Sequence, residues 1–93
     1  MRTIEWSNQF KRDYRREIKG RHGRGLDSLL SSVLPELQAD TALAERYRDH
    51  PLTGDWKDHR DCHVRPDLVL IYQKPDDDTL RLVRLGSHSE LGL

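Results

Sequence analysis

The sequence predicts an α+β fold: a twisted, mainly antiparallel sheet of about four strands packed on an N-terminal αα-hairpin, in the order β-α-α-β-β-β. Three observations predict it. Phe10, Tyr14 and Ile18 recur every four residues, the stripe of an amphipathic helix. Leu26, Leu29, Leu30, Val33, Leu34 and Leu37 trace a second helical stripe. Leu68-Val69-Leu70-Ile71-Tyr72 is a continuous apolar run, as expected of a strand covered on both faces.

The elements follow in order. Residues 2–6 alternate in polarity and read as a short strand. Ser7 is placed to cap the first helix, and Gly20 to end it. Residues 20–25 hold three glycines and form a turn. Pro35 removes a donor from the second helix, but the apolar stripe keeps its phase through Leu37, so a kink or restart is expected rather than an end. Residues 41–53 are irregular, apart from a turn of helix near 43–47. Strands are expected near 56–64, 67–74 and 79–87, with turns at Pro66-Asp67 and at residues 74–78. There is room for a short C-terminal helical turn. No repeat or linker divides the chain, so 1–93 is one domain.

Composition sets further bounds. The lone cysteine, Cys62, permits no intrachain disulfide, which suits a reducing cytosol. No apolar run approaches the roughly 20 residues that span a bilayer, and the first residues lack a signal-peptide core. A cytoplasmic protein with no membrane partner is expected. Net charge is zero, yet residues 1–24 hold eight Lys/Arg against three acids. That segment suits either a polyanion partner or a solvated helix face.

The candidate chemistry lies in the second half. Arg84, Gly86 and His88 share parity; on one continuing strand they would face the same side, with Gly86 leaving space for a ligand. An arginine and a histidine there would fit phosphodiester cleavage. His63 and Asp67 flank a turn, and a carboxylate beside an imidazole makes a proton acceptor near neutral pH. His50 precedes Pro51 in a loop. Trp56 is read as a core anchor in preference to a base-stacking platform. No paired cysteines or His-x-x-x-His helix indicates a metal site, and no Walker loop or dinucleotide fingerprint indicates a cofactor.

Together, Asp49-His50-Pro51-Leu52, Gly54-x-Trp56-Lys57, Arg60-Asp61-x-His63-Val64-x-Pro66-Asp67, Leu70-Ile71-Tyr72 and Arg84-x-Gly86-x-His88 resemble the YafQ branch of the RelE/ParE toxin superfamily. The resemblance is dense over residues 47–91 and continues in layout through the first half. It implies a small RelE-like fold and the toxin of a type II toxin–antitoxin pair. It further implies an endoribonuclease that cuts mRNA in the ribosomal A site without metal or cofactor, the 2′ hydroxyl serving as nucleophile. In that reading His88 is the general acid, Asp67 and His63 act as base or orienting groups, Arg84 stabilises the charged phosphorane, and His50 assists. Lys11, Arg12, Arg15, Arg16, Lys19, Lys57 and Arg60 would hold RNA or the ribosome. The expected partners are a neutralising antitoxin, DinJ-like or other, the ribosome with its mRNA, and operator DNA only through the antitoxin complex. Two departures stand out. The family's C-terminal aromatic has no counterpart in Leu91-Gly92-Leu93, and the chain is neutral where such toxins are basic. The competing readings are a gyrase-poisoning binder of the ParE kind, which needs no His/Asp/Arg cluster, and a decayed member that only binds antitoxin and operator.

Overall fold

In the computed structural model, which describes residues 1–93, β1 (Thr3–Trp6) leads into α1 (Asn8–Lys19) and α2 (Leu26–Gln38). A 3-10 turn (Glu45–Tyr47), the two-residue strand β2 (His50–Pro51) and a second 3-10 turn (Gly54–Trp56) come next. β3 (Arg60–Arg65), β4 (Leu68–Gln73), β5 (Thr79–Gly86) and the short α3 (His88–Leu91) complete the order. One sheet contains all five strands in the spatial order β1-β5-β4-β3-β2. β1 pairs parallel to β5, and every other pair is antiparallel. The strand beyond the four expected is β2, where His50 and Pro51 pair with Asp61 and Arg60. Two residues are too few to show alternation in a sequence.

Local chemistry accounts for the helices. The Ser7 hydroxyl accepts from the Phe10 amide at 3.0 Å and donates to the Val83 carbonyl at 2.8 Å, so one side chain starts α1 and ties it to β5. The Gly20 amide closes α1 on the Glu17 carbonyl. At Gly23 a Cβ would lie 2.0 Å from the Ile18 carbonyl oxygen, so the turn can pass under α1 only with glycine there. α2 runs unbroken through Pro35, which sits in its last turn, and does not restart after it.

The sheet has two unequal faces. Leu68, Leu70, Tyr72, Leu80, Leu82, Leu85, Cys62 and Val64 point toward α1 and α2 and join Phe10, Leu26, Leu30, Val33 and Leu37 in a core of 14 buried residues. Each fully buried aliphatic side chain there contributes about 1.5–3 kcal/mol. The opposite face buries only Val69, Ile71 and Leu91, packed against Leu52, Trp56 and Val83. Stability therefore resides on the helix face, and the thin face is left for a site. β4 is central and buried over residues 68–72, as its apolar run predicts.

Two features depart from the sequence reading. The stripe of α1 that faces the sheet buries Asp13 and Glu17 beside Phe10, while Tyr14 and Ile18 are only half-buried. β5 shifts register opposite Ile71 and Tyr72, so the alternation of Leu80 and Leu82 gives way to Leu85 on the same face. The strand then ends at Gly86, and His88 begins α3. Arg84, Gly86 and His88 thus do not share one strand face.

Candidate active site

Strand parity builds the site. In β3, Cys62 and Val64 enter the helix-side core, which turns Asp61 and His63 to the thin face. β2 sets His50 directly across from Asp61, and His50 Nε2 lies 2.8 Å from Asp61 Oδ1. The other ring nitrogen, Nδ1, meets the Pro51 carbonyl at 3.0 Å. The preceding residue is anchored as well: the Tyr72 hydroxyl donates to Asp49 Oδ1 at 2.5 Å and Arg60 Nε lies 3.3 Å from the same oxygen. Burial, reinforced by Asp49, raises the Tyr72 hydroxyl pKa, so it remains a donor.

Asp61 is buried at the base of the cleft, with 4% of its side chain exposed. Its Oδ1 has no well-aligned donor; His50 Nε2 is near but out of line with the N–H direction. Burial pushes the Asp61 carboxyl pKa up, while His50, His63 and His88 pull it down. The His63 ring lies 4.9 Å from the His88 ring, edge to face, and 6.4 Å from the His50 ring. Burial lowers the His63 pKa below its usual 6.5, and Asp61 opposes the shift. A neutral His63 keeps a lone pair free at neutral pH.

His88 opens α3, which is fixed by a capping box. The Glu90 amide donates to Ser87 Oγ at 3.2 Å, and the Ser87 amide donates to Glu90 Oε1 at 3.0 Å. His88 Nδ1 lies 3.6 Å from Asp67 Oδ1, whose other oxygen accepts from Arg21 Nη2 at 2.8 Å. Around these groups lies an open cleft of about 670 Å³, walled by His50, Asp61, His63 and His88 and by Leu52, Trp56 and Leu91. One imidazole biased toward its neutral form thus adjoins another backed by a carboxylate.

The structure brings His50, His63 and His88 together and places Asp67 behind His88. Asp67 was expected beside His63. The irregularity in β3 between His63 and Arg65 and the turn after it carry Asp67 to α3 instead, and Asp61 is the carboxylate beside His63. Arg84 does not line the cleft. Its Nε and Nη2 lie 2.7 and 3.3 Å from the two oxygens of Asp13, which also accepts from the Leu85 amide at 3.0 Å. The space at Gly86 is taken by the protein itself: a Cβ there would meet Arg16 Nη2 at 3.0 Å and Glu90 Oε1 at 3.3 Å. Arg16 pairs with Asp13, Glu17 and Glu90 and donates to the Leu85 carbonyl. Arg60 is committed to Asp49. Lys11, Arg12, Arg15, Lys19 and Lys57 are exposed and have no acidic partner. Trp56, half-buried, both packs on the small cluster and lines the cleft. Sequence reasoning missed Asp61, whose signal was its i, i+2 spacing from His63, and missed Asp13 and Arg21, for which no local signal existed.

His50, Asp61 and His63 present ligand atoms within 4.8 Å of one another. Two imidazoles and a carboxylate form a donor set suited to copper or zinc.

A helix-backed sheet whose thin face carries an imidazole–carboxylate cleft defines the class, a small toxin domain of the RelE-like kind. The family model described as "Bacterial toxin of type II toxin-antitoxin system, YafQ" matches residues 2–92, and the chain belongs to that family. It is 40% identical over 90 residues to the mRNA interferase toxin YafQ of Escherichia coli K12, covering 97% of this chain and 95% of that protein. A copper-bound mutant toxin from Helicobacter pylori superposes with a TM-score of 0.87 at 38% identity, covering 98% of this chain and 99% of its own. One chain of the DinJ-YafQ complex of Escherichia coli superposes with a TM-score of 0.82 at 37% identity, covering 98% of this chain and 98% of its own.

Proposed function

We propose that this toxin is an endoribonuclease that cuts mRNA in the ribosomal A site and is neutralised by a DinJ-type antitoxin. The observation that carries the reading is the cleft itself, where His63 and His88 stand 4.9 Å apart in different electrostatic settings. RNA supplies its own nucleophile, the 2′ hydroxyl, so cleavage needs a base, an acid and correct placement. His63, kept neutral by burial, takes the 2′ proton. His88, backed by Asp67, protonates the departing 5′ oxygen. His50 and Asp61 lie 2.8 Å apart at the base of the cleft, beside His63. Trp56, which lines the cleft, offers an aromatic face to a base where the C-terminus has none. Arg84 reaches the phosphate only by exchanging Asp13 for it.

The chemistry proceeds without a metal in this reading. A copper or zinc ion held by His50, Asp61 and His63 would supply a Lewis acid, and would also occupy the lone pair needed from His63. The surroundings of the site are supplied by the ribosome, which holds the message in a reactive shape. The relatives named an mRNA interferase toxin and a DinJ-YafQ complex support the activity and the partner.

Primer extension on cellular mRNA after induction tests the proposal. In-frame cuts are expected with the wild-type chain and are expected to vanish with His88→Ala, since loss of a general acid costs about 10²–10⁴ in rate. Growth arrest without any cuts would point to a protein target instead.

A further inference from the structure

A second groove adjoins the cleft and shares His63 as a wall. It is lined by Arg46, Tyr47, Arg48 and Arg65, with Leu29, Val64 and Pro66, and contains no acidic residue. None of its three arginines belongs to an ion pair, whereas Arg16, Arg60 and Arg84 are all committed to carboxylates. Arg46 is held ready: its guanidinium lies 4.8 Å from the centroid of the buried Tyr47 ring, and Nη2 donates to the Tyr47 hydroxyl at 3.0 Å. Arg48 is exposed on a left-handed backbone, φ 49°, a conformation that side-chain-bearing residues rarely adopt. That conformation ends the 3-10 turn Glu45–Tyr47, so the turn fixes where Arg48 leaves the chain. Arg65 spends its donors on the His22 and Arg24 carbonyls, which leaves its charge uncompensated.

We propose that this groove holds the phosphates of the mRNA strand that flanks the scissile bond, with Arg46 and Arg48 as positioning residues and Arg65 as a fixed background charge. The inference rests on the ribonuclease reading and names where its substrate runs. The mRNA is chosen over ribosomal RNA because the groove opens from His63. A strand whose 2′ hydroxyl meets that ring must leave the cleft past its wall. The groove also relocates the basic surface. Of the expected RNA-binding residues, Arg16 and Arg60 are paired with carboxylates, and none of those on α1 lines this groove.

The test is the salt dependence of binding to a short labelled single-stranded RNA, read by fluorescence anisotropy. Each phosphate contact on a single strand contributes about 0.7 to the slope of log K against log salt. Arg46→Gln/Arg48→Gln is expected to lower that slope by about 1.4 and to weaken binding, while its melting temperature and its affinity for ribosomes without mRNA match the wild type. An unchanged slope overturns the proposal. A variant that loses affinity for empty ribosomes but not for the RNA overturns it too, because the groove then faces ribosomal RNA. His88→Ala is expected to keep the wild-type slope. Cleavage on mRNA-programmed ribosomes separates the two readings. A wild-type protein that cuts nothing removes the ribonuclease reading, and the anisotropy still decides the groove. A wild type that cuts, beside a double variant with unchanged KM, removes the groove alone.

Discussion

Asp61 opposes the effect of burial on His63. A buried carboxylate favours the protonated form of an imidazole, and desolvation disfavours it; at His63 desolvation is the larger effect. Cleavage should therefore lose rate on the acid side only below pH 6.5, as His63 takes a proton. Asp61→Asn removes the charge that favours imidazolium, so the acid limb should move to still lower pH. A pH–rate profile of both proteins on programmed ribosomes checks the sign, and a limb that rises on substitution contradicts it. Copper(II) should inhibit by taking the lone pairs of His50 and His63, with recovery on chelation and a weaker effect in His50→Ala. Copper that accelerates cleavage would contradict a metal-free reaction. Part of this was legible: the family resemblance, more than residue type and spacing, singled out His50, His63, Asp67 and His88. Their pairing was not, because whether Asp61 or Asp67 meets His63 depends on a two-residue strand and an irregular turn.

At the scale of elements, the joint between α1, β5 and α3 is electrostatic. Asp13 binds Arg84, the Leu85 amide and Arg16, and Arg16 continues to Glu90 on α3. This joint sets the end of β5, and hence the place of His88. Removing one member of a buried pair costs about 3–5 kcal/mol, because the remaining charge is left without a partner. Asp13→Ala should accordingly destabilise the fold by about 3 kcal/mol, measured by urea unfolding. A loss under about 0.5 kcal/mol, the range of ordinary surface changes, would show that the joint is not structural. Helices and strands were legible from apolar periodicity, as was the central position of β4. The joint was not, since Asp13 and Arg84 are 71 residues apart and each looks like a surface charge in sequence. The same blindness made Arg84 and Gly86 look like parts of a ligand site.

For the whole molecule, the division of the sheet into a thick and a thin face separates stability from function. Substitutions in the cleft should leave folding largely intact, because the 14-residue core lies on the other side. Net neutrality does not weaken an RNA-directed reading, since the acids are concentrated in ion pairs and turns while the groove beside His63 has none. No helix is long and apolar enough to cross a membrane. The unequal faces could be foreseen only in part. The apolar runs announced a covered sheet, but not that α3 and the segment around Trp56 would cover one face so sparsely.

The central claim is that paired histidines activate the RNA's own 2′ hydroxyl. Its most direct measurement uses purified protein and ribosomes programmed with an mRNA carrying one 2′-deoxy nucleotide at the scissile position of the A-site codon. The unmodified message should be cut to a cyclic phosphate and a 5′ hydroxyl, and the deoxy message should stay whole. Equal cutting of both would contradict the mechanism.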